Sequence, residues 1–172
     1  MQGEIVQATS PADVRDTREL LLEYASSLGF SLCFQSFDKE LAGLPGEYGP
    51  PEGMLLLARM GNIPAGCVAL RKLEADICEM KRLYVRPQFR GTGLGDELTH
   101  RILQSARMLG YARMRLDTIA STMQAAVRLY RKLGFAEVPP YRENPIPDAI
   151  FLELNLKNFE AAAASGSSGR WR

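Results

Sequence analysis

The chain has 172 residues, 46% hydrophobic and 24% charged, with a formal net charge of +1. That is enough for one buried core in the composition range of ordinary globular domains. The near-neutral balance excludes a strongly basic nucleic-acid binder, and no apolar run reaches the length of a membrane span.

Glu4–Thr9 predicts a first strand. Ser10-Pro11-Ala12-Asp13 then predicts a capped helix start with proline at the first helical position. Val14, Leu21, Tyr24, Ala25 and Leu28 follow at helical spacing up to Gly29. Phe37, Leu41 and Leu44 suggest a short second helix. Leu44–Gly53 is a long turn-rich loop, a length that in compact domains usually serves function. Met54–Met60, Ile63–Leu73 and Ile77–Arg86 predict three strands joined by short turns, hence antiparallel neighbours. A helix over Leu94–Leu109 ends at Gly110, a strand covers Arg113–Ile119, and a helix over Thr122–Leu133 ends at Gly134. Phe135–Val138 and Ala149–Leu156 close the order, separated by the proline-rich 139–147. The domain is read as 1–157, with 158–172, largely Ala/Ser/Gly, as a flexible tail or vector-derived remnant.

Cys33, Cys67 and Cys78 are odd in number and lack CxxC spacing, and MQGEIVQATS has no signal-peptide character. Both features predict a reducing, cytoplasmic location. The lone His100 leaves little for a His-based metal site or a Ser-His-Asp triad. It reads as a partly exposed helix residue, and no metal is expected.

Charge is uneven. Residues 1–80 hold six basic and twelve acidic residues, whereas residues 81–115 hold eight basic and two acidic. The basic segment contains Arg90-Gly91-Thr92-Gly93-Leu94-Gly95, between a predicted strand and a helix start. Glycines there leave backbone N–H groups uncovered, and a helix N-terminus attracts phosphate. A P-loop would need Gly-Lys-Ser/Thr, but Asp96 and Glu97 follow Gly95. Dinucleotide-type GxGxxG would need glycine at Asp96 or Leu98. The pattern that remains is Arg/Gln-x-x-Gly-x-Gly, met by Arg90-x-x-Gly93-x-Gly95 and again by Gln88-x-x-Gly91-x-Gly93.

With Ala126-x-x-Leu129-Tyr130-x-Lys132-x-Gly134-Phe135 as a second motif in the expected order, the chain resembles the GNAT superfamily of N-acetyltransferases over roughly residues 4–157. Glu79-Met-Lys-Arg-Leu-Tyr-Val85, Arg115-Leu-Asp-Thr118 and Pro140–Pro147 look like a bacterial subgroup of small GNAT enzymes with unassigned substrates. The resemblance implies an α/β (α+β) GNAT fold. Its mixed, mostly antiparallel sheet of about seven strands would be flanked by about four helices and splayed between strands 4 and 5. It also implies acetyl-CoA as cosubstrate, bound by the backbone of Leu83, Tyr84 and Val85 and by the segment Arg90, Gly91, Thr92, Gly93, Leu94, Gly95 and Asp96. Met123 holds a position where the family often has an asparagine that bonds the pantetheine arm, so Ser121 or the backbone would substitute.

Acetyl transfer to an amine requires a neutral amine, a stabilised carbonyl oxygen and a protonated or tolerated leaving thiolate. By resemblance, Tyr130 would be the acid and Glu79 the base, acting through water. The Leu83 N–H would face the carbonyl oxygen, with Asp117 and Thr118 as weaker alternatives for the proton chemistry. Cys78 lacks a histidine nearby in sequence and reads as a buried thiol rather than a nucleophile. Candidate acceptor residues are Phe34, Phe37, Glu40 and Tyr48 from the early segment and Tyr141, Arg142 and Asn144 from the late loop. Arg142 suits a carboxylate on the acceptor, while the acidic N-terminal half suits a cationic amine.

The expected activity is direct transfer, in a ternary complex, to a primary amine of a small molecule or peptide. The alternatives are a degenerate GNAT fold acting as a CoA-binding regulatory module, or a modifier of protein or charged-tRNA amines. No membrane or nucleic-acid partner is indicated, and a homodimer is compatible with the family.

Overall fold

The computed structural model describes residues 2–33, 36–159 and 172. In chain order it contains β1 (Gly3–Gln7), α1 (Pro11–Ser27), α2 (Phe37–Gly43), β2 (Met54–Met60), β3 (Ile63–Lys72), β4 (Ile77–Val85), α3 (Leu94–Met108), β5 (Arg113–Ile119), α4 (Gln124–Lys132), β6 (Ala136–Val138) and β7 (Ala149–Asn155). Element order and type match the sequence expectation throughout. No described helix is long and apolar enough to cross a membrane.

Local chemistry accounts for the starts of α1 and α3. Ser10 caps α1 by accepting from the Asp13 N–H at 3.1 Å, with Pro11 at the first turn. Gly93 caps α3 at φ 85, in left-handed geometry that favours glycine. The first-turn N–H groups of α3 receive no capping side chain there and have no intrahelical acceptor.

The sheet runs β1-β2-β3-β4-β5-β7-β6, antiparallel except for the β4–β5 pair. Alternation along β2 sends Leu56 and Ala58 to one face and Leu55 and Leu57 to the other. Both faces are covered, so β2 is apolar at every position from Met54 to Ala58, and Arg59 near its end pairs with Asp13 and Asp16 of α1. One core layer packs Leu94, Leu98, Ile102 and Leu103 of α3 against the sheet; the other packs Leu20 and Leu21 of α1 and Phe37 and Leu41 of α2.

The fold continues past residue 157. Leu156–Asn158 forms a short 3-10 turn, and Phe159 is buried at 4% exposure with its carbonyl accepting from Arg107 at 2.6 Å. An aromatic side chain in the core explains why the Ala/Ser/Gly composition beyond it misplaced the boundary. The remainder of the expected tail, residues 160–171, lies outside the described residues.

Candidate active site

β4 and β5 pair only from Ile77↔Arg113 to Glu79↔Arg115. Beyond Glu79 they part, and a cleft of about 740 Å³ opens between Met80–Val85 and Leu116–Ile119. A bulge in β4 shapes this wall. Cys67 and Ala69 of β3 sit opposite Tyr84 and Lys81, so β4 carries one extra residue. Arg82 absorbs it at φ 62, a conformation that costs a non-glycine residue about 1–2 kcal/mol. Its guanidinium is held by both Glu40 oxygens at 2.9 and 3.1 Å and lies 5.1 Å from the Phe37 ring centre. Thus α2 clamps the strained residue.

One end of the cleft is the glycine loop. Arg90, Gly91, Gly93, Gly95 and Asp96 line it. Gly91 and Gly93 have φ 74 and 85, and a Cβ at either would meet no atom within 4 Å. The loop therefore exposes bare backbone beside the start of α3, a surface that fits a pyrophosphate. Arg90 donates to the Val85 carbonyl at 2.9 Å, and Thr92 donates to that of Phe89 at 2.6 Å. These bonds fasten the loop to the end of β4 and to the turn after it.

Thr118, Met123 and Tyr130 also line the cleft. The Thr118 hydroxyl donates to the Met123 sulfur at 3.2 Å. Tyr130 is 6% exposed and packs on Phe135 with ring centres 5.6 Å apart. Burial, with a smaller contribution from Tyr24, pushes its hydroxyl well above the ordinary phenol range, so it stays protonated.

A second cavity, about 480 Å³, lies under α2 and the Gly46–Tyr48 turn, with Arg71, Lys81 and Arg142 in its lining. The long loop thus reaches the site, and it does so compactly: a Cβ on Gly53 would stand 2.7 Å from the Tyr48 Cα. Beside this cavity is a buried ionic cluster centred on Glu79, which has no exposed surface. Arg71 donates to Glu79 at 2.9 Å, Tyr141 at 2.7 Å and Arg142 at 2.7 Å; the Lys81 ammonium stands at 4.0 Å. Arg142 also pairs with Asp117 at 2.6 Å, and Asn144 donates to Asp117 at 3.1 Å.

The acetyltransferase (GNAT) family pattern matches residues 15–135. The chain belongs to the GNAT family. An uncharacterised N-acetyltransferase of Schizosaccharomyces pombe is 45% identical over 148 residues, covering 85% of this chain and 90% of the relative; the likeness therefore extends beyond bacteria. A GNAT acetyltransferase structure from Staphylococcus aureus superposes with a TM-score of 0.74 at 18% identity, covering 90% of this chain and 99% of the other. A Salmonella typhimurium acetyltransferase structure, described with its cofactor acetyl-CoA, superposes with a TM-score of 0.69 at 21% identity, covering 91% and 95%. The splayed sheet is that of a GNAT, and GNAT enzymes are acyltransferases.

Within this GNAT, the structure separates the expected site residues into three groups. Leu83, Tyr84, Val85, Arg90, Gly91, Gly93, Gly95, Asp96, Met123, Tyr130 and Asn144 line the cleft, while Glu40, Tyr48 and Arg142 line the second cavity. Others line neither. Leu94 is buried in the core, so its side chain is unavailable to the cleft, and Thr92 turns back onto Phe89. Ser121 presents its carbonyl to Gln124 at 3.4 Å, and it is the neighbouring Thr122 that lines the wall. Phe37 is a core ring beneath Arg82, and Tyr141 packs edge-on against Phe151 at 5.1 Å with its hydroxyl committed to Glu79. Phe34 lies outside the described residues.

Two charged residues change their reading. Glu79 lines neither cavity, and its oxygens are engaged by Arg71, Arg142 and Tyr141. This geometry makes it the centre of a buried cluster beside the second cavity. Arg142 is committed to Glu79 and Asp117 and so has little capacity for an acceptor carboxylate. Cys78 is fully buried, and burial raises its thiol to about 12, as an inert structural thiol requires. The residues that sequence reasoning missed are Tyr24, Phe30 and Leu32 in the cleft, Arg71 in the second cavity and Lys81 in both. For Lys81 the available signal was the adjacent Lys81-Arg82 pair inside a strand that is buried along most of its length.

Proposed function

We propose that this GNAT transfers the acetyl group of acetyl-CoA to a primary amine of a small molecule or peptide, directly, within a ternary complex. The observation that carries this reading is the cleft at the β4–β5 splay, which runs from a bare-backbone glycine loop to Tyr130 and adjoins a second cavity. The loop N–H groups around Gly91–Asp96 would take the pyrophosphate. The main chain of Leu83–Val85, unpaired on its β5 side, would bond the pantetheine arm as an added strand does. A backbone N–H of the bulged segment, that of Leu83, would face the thioester oxygen as charge develops there.

Tyr130 would protonate the leaving thiolate. Burial keeps its hydroxyl protonated, so a proton is on hand to be drawn toward the sulfur as negative charge develops there. The acceptor would enter through the second cavity. The experiment is thiol release from acetyl-CoA with a panel of small amines, amino acids and peptides. Release that depends on one class of amine, with N-acetylated product found by mass spectrometry, is the expected result. CoA binding without turnover of any amine would sink it in favour of a CoA-binding module.

A further inference from the structure

We propose that Lys81 is the proton acceptor for the incoming amine. Among the described residues it is the single one that lines both cavities, so it stands where the acetyl-group cleft and the acceptor cavity meet. It lies on β4 immediately before the bulged Arg82, and its side chain is 6% exposed. The inference rests on the amine-acetyltransferase reading above and assigns that reaction's base.

The surroundings supply the chemistry. Lys81 faces Glu79 and Arg82 from its own strand, Arg71 from β3, Arg142 from the late loop and Glu40 from α2. Asp117 of β5 is held by Arg142, Tyr48 is bonded to Glu40, and the exposed Lys39, Glu47 and Glu143 complete the charged lining. Burial and the Arg82 charge lower the Lys81 ammonium to about 8, against the opposing pull of Glu79. A lysine near that value is substantially neutral at mildly alkaline pH and can accept a proton. Glu79, bonded to Arg71, Arg142 and Tyr141, holds the cluster together and keeps Lys81 placed.

The acceptor ammonium gives a proton to the Lys81 Nζ, which returns it to solvent. The freed nitrogen lone pair forms the C–N bond at the thioester carbonyl. The C–S bond breaks with its electron pair going to sulfur, and the thiolate takes the Tyr130 proton. The second proton, shed by nitrogen on amide formation, restores Tyr130.

The test is steady-state kinetics from pH 6 to 10 with acetyl-CoA and four acceptors: tyramine, spermidine, L-aspartate and glycylglycine. Wild type, Lys81→Arg and Glu79→Gln are compared, with melting temperature and CoA affinity measured for each. Arginine keeps the charge but does not release its proton. Lys81→Arg is expected to bind CoA as wild type does, keep KM within a few fold and lose kcat by about 100-fold or more, with its rising pH limb gone. Glu79→Gln is expected to keep the limb and move it to lower pH, because the carboxylate that favours protonated Lys81 is removed. Competitive acetic-anhydride labelling, read by mass spectrometry on the wild type, is expected to titrate Lys81 near 8. A Lys81→Arg enzyme with wild-type kcat and limb, a loss confined to KM, a limb that vanishes in Glu79→Gln alone, or labelling at the ordinary lysine value would each overturn the assignment. If wild type turns over none of the four amines, the acetyltransferase reading itself fails.

Discussion

Glu40 holds Arg82 with both carboxylate oxygens, at 2.9 and 3.1 Å, and so ties α2 to the one residue of β4 with positive φ. The Tyr48 hydroxyl donates to the same carboxylate at 2.6 Å. One surface element thereby sets the shape of the cleft wall on one side and the roof of the second cavity on the other. Glu40→Ala leaves the Arg82 charge at 3% exposure without its partner. Removing one member of such a pair costs about 3–5 kcal/mol. A large drop in melting temperature is expected, together with reduced kcat because the bulge relaxes; an unchanged melting temperature would show that the clamp is dispensable.

The same pair predicts an acid sensitivity. Burial raises the Glu40 carboxyl, but the Arg82 bonds and charge and the Tyr48 hydroxyl more than offset this, leaving it below its ordinary value. A carboxylate lowered in the folded state contributes stability above its unfolded pKa of about 4.3 and loses it as pH falls through the folded value. Urea midpoints measured from pH 7 down to 3 should fall more shallowly in Glu40→Gln than in wild type. Parallel curves would remove Glu40 from the acid transition.

Gly93 should be the most sensitive position in the loop. At φ 85 any L side chain is strained by about 1–2 kcal/mol, and Gly93 itself lines the cleft. Gly93→Ala should weaken CoA several-fold in calorimetry. Gly93→Asp, which adds a negative charge beside the expected pyrophosphate, should abolish binding. Equal affinity for both variants would mean that no phosphate approaches here.

Tyr130→Phe separates chemistry from packing. The ring contact with Phe135 survives the substitution, so melting temperature should change little. Loss of a general acid costs about 10²–10⁴-fold, so kcat should fall by at least about 100-fold while acetyl-CoA affinity holds. Unchanged kcat would assign Tyr130 to the core alone.

The thiols test the ternary-complex expectation. Cys67 and Cys78 are fully buried and Cys33 is exposed, so Ellman's reagent should titrate one thiol in the native protein and three after denaturation. Cys78→Ser should retain turnover. Its loss, together with an acetylated enzyme intermediate, would revive transfer through cysteine.

Much of this protein could be read from residue order. The largely apolar run Met54–Met60, set between turn signals, predicts a strand, and Ser10-Pro11 and the glycines at 93, 110 and 134 mark helix ends, because these depend on local geometry and periodicity. Arg90–Gly95 and Ala126–Phe135 carry the family for the same reason: each is a short segment whose backbone role is written in its own residues. What only the tertiary structure decided is how charges from distant segments are shared. Glu79, Arg71, Arg142, Asp117 and Tyr141 come from three strands and a late loop, and whether Glu79 faces a reactant or lies locked beneath it depends on partners about 8 to 60 positions away. Lys81 is likewise one more strand lysine until the splay and the α2 roof open a cavity on each side of it. Burial then shifts the ammonium, because a buried charge answers to every charge around it, however far apart in the chain.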